Sequence, residues 1–289
     1  MLASEGEVHL KWPYFLAIAA TIIGLSGCPT SVVDVTKAQN RIDLATDLLA
    51  RRQYGAAEAE AKRALVYYPG SAEAHRLLGL ISYSRAKETI DLVERADCLA
   101  GVDAEALRAE ANEQMRQAER QFKRATELDP TYGEAWEDRA AAAMYFNDWD
   151  RVIELDGKAL ANLGRLTSEQ LAQARLGWAY ENKQDHVRAA THLLQATSGQ
   201  AYFCLGNYYL ASVYFARKEY EDAATRLQAV VADPKYCPPL QEAQYLAGQT
   251  HIRLHDEQTA VKAFQACVAM APKSCQARQC EKALAEISP

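Results

Sequence analysis

The residue types best able to do chemistry in this chain are its histidines and cysteines, and their spacing points away from catalysis. His251 and His255 stand four apart in a stretch of helical periodicity, the spacing of two metal ligands on one helix face. No acidic residue or cysteine stands at a recognisable third-ligand spacing, so surface histidines are the expected reading. Of seven cysteines, Cys28 and Cys98 are isolated, while Cys204, Cys237, Cys267, Cys275 and Cys280 gather late in the chain. Thiolates of Cys267, Cys275 and Cys280 would suit zinc. That density fits disulfides in an oxidising compartment better. G-x-S-x-G, H-E-x-x-H and a glycine-rich phosphate loop are all missing, so no enzyme activity, cofactor, metal or small-molecule substrate is expected. A net charge of −6 without any lysine or arginine run gives no electrostatic case for nucleic acid.

The elements that position these residues form a repeat. Residues 114–136 read QMRQAERQFKRATELDPTYGEAW, with Ala118, Phe122, Ala125 and Pro130 in phase and Trp136 opening the next copy. A small alanine lets two helices approach, phenylalanine fills the space between them, and proline ends the second helix. Tyr54, Ala57 and Pro69 keep the same offsets upstream. Tyr220 and Ala223 keep them downstream, with Pro234 one residue early, and Ala260, Phe264 and Pro272 repeat them without a slip. Leu78-Gly79, Leu176-Gly177 with Tyr180, and Gly248 mark first helices. This resembles the tetratricopeptide repeat, which implies an all-α, right-handed solenoid of about six helix pairs over residues 38–273, with a capping helix over 274–289.

The second pair departs from the period, because Ala118 arrives far too late after Leu78-Gly79. The spacing of Leu92, Val93, Leu99 and Leu107 argues for two lengthened helices forming a protruding hairpin at about 84–116, turning at Gly101 and capped by Asp103. A partner-binding arm and a spacer are both open. Downstream, Thr167 with Gln170 three residues on reads as a helix N-cap.

Residues 12–27 are apolar and too short to span a bilayer; they end in Leu25-Ser26-Gly27-Cys28. This resembles a bacterial lipobox, so residues 1–27 are read as a lipoprotein signal peptide and Cys28 as the lipidated residue, followed by a tether over 28–37. Glu5 and Glu7 are unusual in such a leader, and translation is expected to start at Val8. Pro29 rather than aspartate after the cysteine implies the outer membrane, by resemblance to enterobacterial sorting.

In a solenoid of this kind the first helices line a concave groove, and the repeat phase places Tyr83, Tyr145, Trp178, Tyr208, Phe215 and Tyr245 there. An aromatic groove with few charges suits an apolar protein segment better than an acidic tail. Cys204 and Cys237 begin or precede adjacent repeats, and Cys267 faces the helix bearing Cys280. These two pairs are the expected disulfides, although connectivity does not follow from sequence; Cys98 and Cys275 are not assigned.

A lipobox followed by about six such repeats resembles the type IV pilus pilotins of the Tgl, PilF and PilW group. The stretches CPPLQEAQYLAGQ and AFQACVAMAPKSC look most like the Tgl branch. The resemblance implies a lipid-anchored protein on the periplasmic face of the outer membrane that binds secretin monomers and assists their assembly, in pilus-driven twitching or social gliding. A scaffold subunit of another envelope assembly or polysaccharide-export machine is the alternative. A helical peptidoglycan hydrolase would need a glutamate with a raised pKa in an apolar pocket, which the sequence does not single out.

Overall fold

A small residue facing a large one allows the two helices of a pair to close, and this chain repeats that exchange along its length. The computed structural model describes residues 33–94, 104–198, 204–232, 237 and 240–287. Among the described residues there are thirteen α-helices and no strand. The pairs are α1 (Val35–Ala50) with α2 (Tyr54–Tyr67), α3 (Ala72–Glu94) with α4 (Glu105–Leu128), and α5 (Gly133–Tyr145) with α6 (Trp149–Leu160). They continue with α7 (Glu169–Asn182) and α8 (His186–Thr197), α9 (Cys204–Ala216) and α10 (Tyr220–Val231), then α11 (Gln241–Arg253) and α12 (Glu257–Met270). A last helix, α13 (Cys275–Ile287), packs against α12 and α11. The proposed leader, Cys28, Cys98, Gly101, Asp103 and Pro234 lie outside the described residues. No helix among the described residues is long and apolar enough to cross a membrane.

Steric fit fixes each pair. A Cβ placed on Gly79 would lie 2.4 Å from the Phe122 ring, one on Gly177 2.4 Å from Leu193, and one on Gly248 2.4 Å from Phe264. All three large partners are fully buried. Removing a buried phenylalanine of this kind costs about 3–5 kcal/mol, because the neighbouring helices relax only partly into the void. The second helices share one register: Phe122, Leu193, Leu227 and Phe264 each follow a buried alanine by four residues. In α6 that slot belongs to Asp156, which is wholly buried.

The two helices of five pairs are joined by a residue in left-handed conformation: Arg52, Asn147, Gln184, Lys218 and His255, all at φ between 55° and 65°. The next residue sends its N–H back to the carbonyl five positions earlier, as from Asp148 to Ala143 at 3.1 Å and from Asp256 to His251 at 2.9 Å. This closes the first helix in a Schellman turn. Asp148, Asp185 and Asp256 then cap the second helix with their side chains. His255 therefore sits in a turn beyond the end of α11, not four residues along the same helix as His251. His251 pairs instead with Asp256, Nδ1 to carboxylate, at 3.4 Å. The cap of α7 also falls one residue later than its sequence pattern: Ser168 Oγ accepts from the Leu171 N–H at 3.2 Å, while Thr167 donates its own N–H elsewhere.

The second pair has no such short turn. Its helices α3 and α4 are the longest in the array, and the far end of α3 does not stand clear of the other repeats. The Glu94 carbonyl oxygen lies 3.3 Å from Cys275 Sγ at the start of α13, and Asp91, Glu94 and residues 271–275 enclose a cleft between them. Cys275 is itself disulfide-bonded.

Candidate binding groove

Three consecutive first helices contribute the same position to the groove. Asp138 on α5, Arg175 on α7 and Tyr209 on α9 each lie two residues before the small residue of their helix, Ala140, Gly177 and Ala211, and each small residue is seven before its left-handed turn residue. From α3, Arg76 joins them, donating from Nε to Asp138 Oδ2 at 2.6 Å and pairing through Nη1 with Glu134 at 2.9 Å. Arg175 is held from behind by Asp156, the carboxylate in the apolar slot of α6: Nε donates to Oδ2 at 2.9 Å and Nη2 to Oδ1 at 2.5 Å. The exception in the slot pattern is thus explained by its partner, since a buried charge is tolerated only when paired and hydrogen-bonded.

Neighbouring Glu137 accepts the Thr167 backbone N–H at 2.6 Å through Oε2. Its Oε1 is buried with no hydrogen-bond partner, 3.8 Å from Arg175 Nη2. Together Arg76, Tyr83, Glu137, Asp138, Leu171 and Arg175 line a cleft of about 270 Å³ between α3, α5 and α7. Burial pushes the Asp138 carboxyl up to about 6, against the pull of Arg76, and pushes Asp156 up to about 6 against Arg175. Burial likewise raises the Tyr83 phenol, and raises that of Tyr209 to about 12.

The aromatic residues named from sequence do not form one continuous surface. Tyr83 borders the central cleft, and the charges of Arg175 and Asp138 act on its phenol. Trp178 stacks on Tyr209 with centroids 4.6 Å apart and planes 18° from parallel, joining α7 to α9. Phe215 and Tyr245 line a second cleft of about 660 Å³ with Ile252, Phe264 and Ile287, against the last helix. Tyr145 packs beside Ala86 and Met115 and donates its hydroxyl to Asn112 Oδ1 at 2.8 Å, bracing the long hairpin. Tyr208 is half-buried among Cys204, Ala211, Cys237 and Leu246. The centre of the groove is charged rather than poor in charge, because sequence reasoning passed over Arg76, Glu137, Asp138 and Arg175. The signal that would have found them is Asp156, a charge in a slot that is apolar in the five other repeats.

At the C-terminal end, Cys204 is bonded to Cys237 and Cys267 to Cys280, with Cα atoms 5.4 Å and 6.3 Å apart. Among the described residues no group of three histidine, cysteine or acidic side chains is arranged to hold a metal.

The sequence matches the tetratricopeptide repeat family over residues 42–88 and 208–274. Its fold is that of a tetratricopeptide-repeat solenoid. No curated protein matches it. Among solved structures it is similar to pilF of Pseudomonas aeruginosa, at 12% identity, with 85% of this chain and 97% of that one covered and a TM-score of 0.63. It is similar to PilW, a type IV pilus biogenesis factor, at 16% identity, with 84% and 97% covered and a TM-score of 0.65. The same architecture occurs in the Cut9–Hcn1 assembly of the APC/C, at 18% identity, with 86% of this chain and 48% of that one covered and a TM-score of 0.54. At such identities the likeness is one of fold, and one fold serves unrelated assemblies.

Proposed function

We propose that this solenoid is a pilotin: a lipoprotein anchored through Cys28 to the periplasmic face of the outer membrane, whose groove binds a segment of a secretin monomer and assists its assembly into the type IV pilus channel. The observation that carries this reading is the pairing of a lipobox at residues 25–28 with a repeat array that is matched over nearly the whole length of two pilus proteins, pilF and PilW. The proposed mechanism makes and breaks no covalent bond. The groove covers an apolar segment that would otherwise aggregate, and the anchor raises its local concentration at the membrane. The stacked Trp178–Tyr209 pair supplies rigid, amphipathic area of the kind that concentrates binding energy at interfaces.

In cells lacking the gene, the heat-resistant secretin multimer should vanish from outer membranes while monomer persists, and a Cys28→Ala copy should fail to restore it. Multimer at wild-type level in the deletion would overturn the reading.

A further inference from the structure

The groove contains one carboxylate, Glu137, with an oxygen that no donor among the described residues hydrogen-bonds. Glu137 is 3% exposed. One of its oxygens accepts the Thr167 amide; the other, Oε1, is buried without a hydrogen-bond donor, and the residue borders the central cleft. Arg175 stands 3.8 Å from it but spends Nε and Nη2 on Asp156, and Arg76 is shared between Asp138 and Glu134. Four carboxylates, Glu134, Glu137, Asp138 and Asp156, therefore share two guanidiniums, and the deficit falls at Glu137. A buried acceptor left unpaired is costly, so one on a residue that borders a cleft marks the place of a missing donor. The walls match such a donor. Leu80, Leu171 and the ring of Tyr83 give an apolar passage, and about 270 Å³ admits one side chain rather than a helix.

We propose that the cleft between α3, α5 and α7 is a subsite for one basic side chain, lysine or arginine, carried by the segment that the groove binds. Its aliphatic stem lies along Leu80, Leu171 and Tyr83, and its cation donates to Glu137 Oε1 beside Asp138. The inference rests on the groove being a peptide-binding surface and adds what that peptide must contain. It also gives register: an extended or helical segment slides along aromatic surface at little cost, whereas a buried charge pair fixes one position.

A positional-scanning library of N-acetylated, C-amidated nonapeptides, offered to the full-length chain at neutral pH, tests this directly. Lysine or arginine should be selected at one position at least about tenfold over glutamine or glutamate, a difference of about 1.4 kcal/mol. Glu137→Gln should lower that preference at least about fivefold while apolar selection at neighbouring positions persists, since glutamine still accepts from Thr167. Leu171→Lys, which supplies a tethered cation to the same cleft, should abolish the preference as well. Apolar selection with no basic position, or a basic position indifferent to Glu137→Gln, overturns the subsite and leaves the groove reading standing. If no residue is selected at any position, both fall together.

Discussion

The middle of the array and its C-terminal end use the same helix pair and hold it with different chemistry. Between α6 and α7 the adhesive is a buried ion pair, Asp156 with Arg175, set where four other repeats place phenylalanine or leucine and the first places alanine. From α9 onward the slots are apolar again, and covalent bonds tie Cys204 to Cys237 and Cys267 to Cys280. The first arrangement leaves charge in the groove, where Arg175 meets Glu137 and the cleft opens. The second lines the groove with Phe215, Tyr245 and Ile252 beside Arg253, Lys282 and Glu286, with no buried ion pair in the slot, and fastens the terminal helix. A repeat therefore conserves geometry rather than interactions. Any slot can change its chemistry provided that the adjoining helix answers it, and the change appears on the concave face as a change in what can be recognised.

Three measurements would sharpen or break that contrast. The largest effect is expected from Asp156→Ala, which strands Arg175 in the interior and should cost about 3–5 kcal/mol in urea unfolding. Asp156→Leu combined with Arg175→Met restores the slot of the neighbouring repeats and should recover most of that loss; if it does not, the ion pair is more than a substitute adhesive. Next, replacing Cys204 and Cys237 by serine opens a link spanning 33 residues and should cost about 3–4 kcal/mol, with slightly less for the 13-residue link of Cys267 and Cys280. Amide exchange should quicken in α9–α13 and stay unchanged in α5–α8; acceleration in both regions would erase the distinction between them.

The smallest effect concerns pH. Asp138 and Asp156 keep their protons in the folded chain up to about 6, whereas the unfolded chain releases them near 3.8. The folded state thus binds more protons in that window, and stability falls as pH rises through it, then levels off above about 6. Carboxylates held low in the folded state, such as Asp129 by Thr131 and Glu154 by Lys158, act oppositely and lower down: their contribution is lost only as pH drops below their usual 3.8 and 4.5. Between about pH 4.5 and about pH 6 the middle of the array should lose about 1–3 kcal/mol. Asp138→Asn should reduce that slope, and an unchanged slope would remove Asp138 from the account.

The helix pairs were legible because the exchange of small for large recurs at short range, at Gly177 and Leu193 or Gly248 and Phe264, each sixteen residues apart. Trp178 and Tyr245 were legible as aromatic residues in phase with it. The charged centre was not. Arg175 acquires meaning only from Asp156 nineteen residues away, and Arg76 only from Asp138 sixty-two away; alone, each reads as a solvated side chain. The turn that removes His255 from its helix was hidden for a different reason. Non-glycine residues occupy all five left-handed positions, so the usual glycine signal is missing at each.

The meeting of α3 with α13 bears on how the chain comes to be made. An open solenoid assembles from neighbour to neighbour, each repeat folding on the one before it as it emerges. Here Glu94 waits for Cys275, 181 residues downstream. The hairpin is synthesised early and its landing surface almost last, so that among the described residues the junction is the least local hydrogen-bond-range contact and should be among the slowest to form.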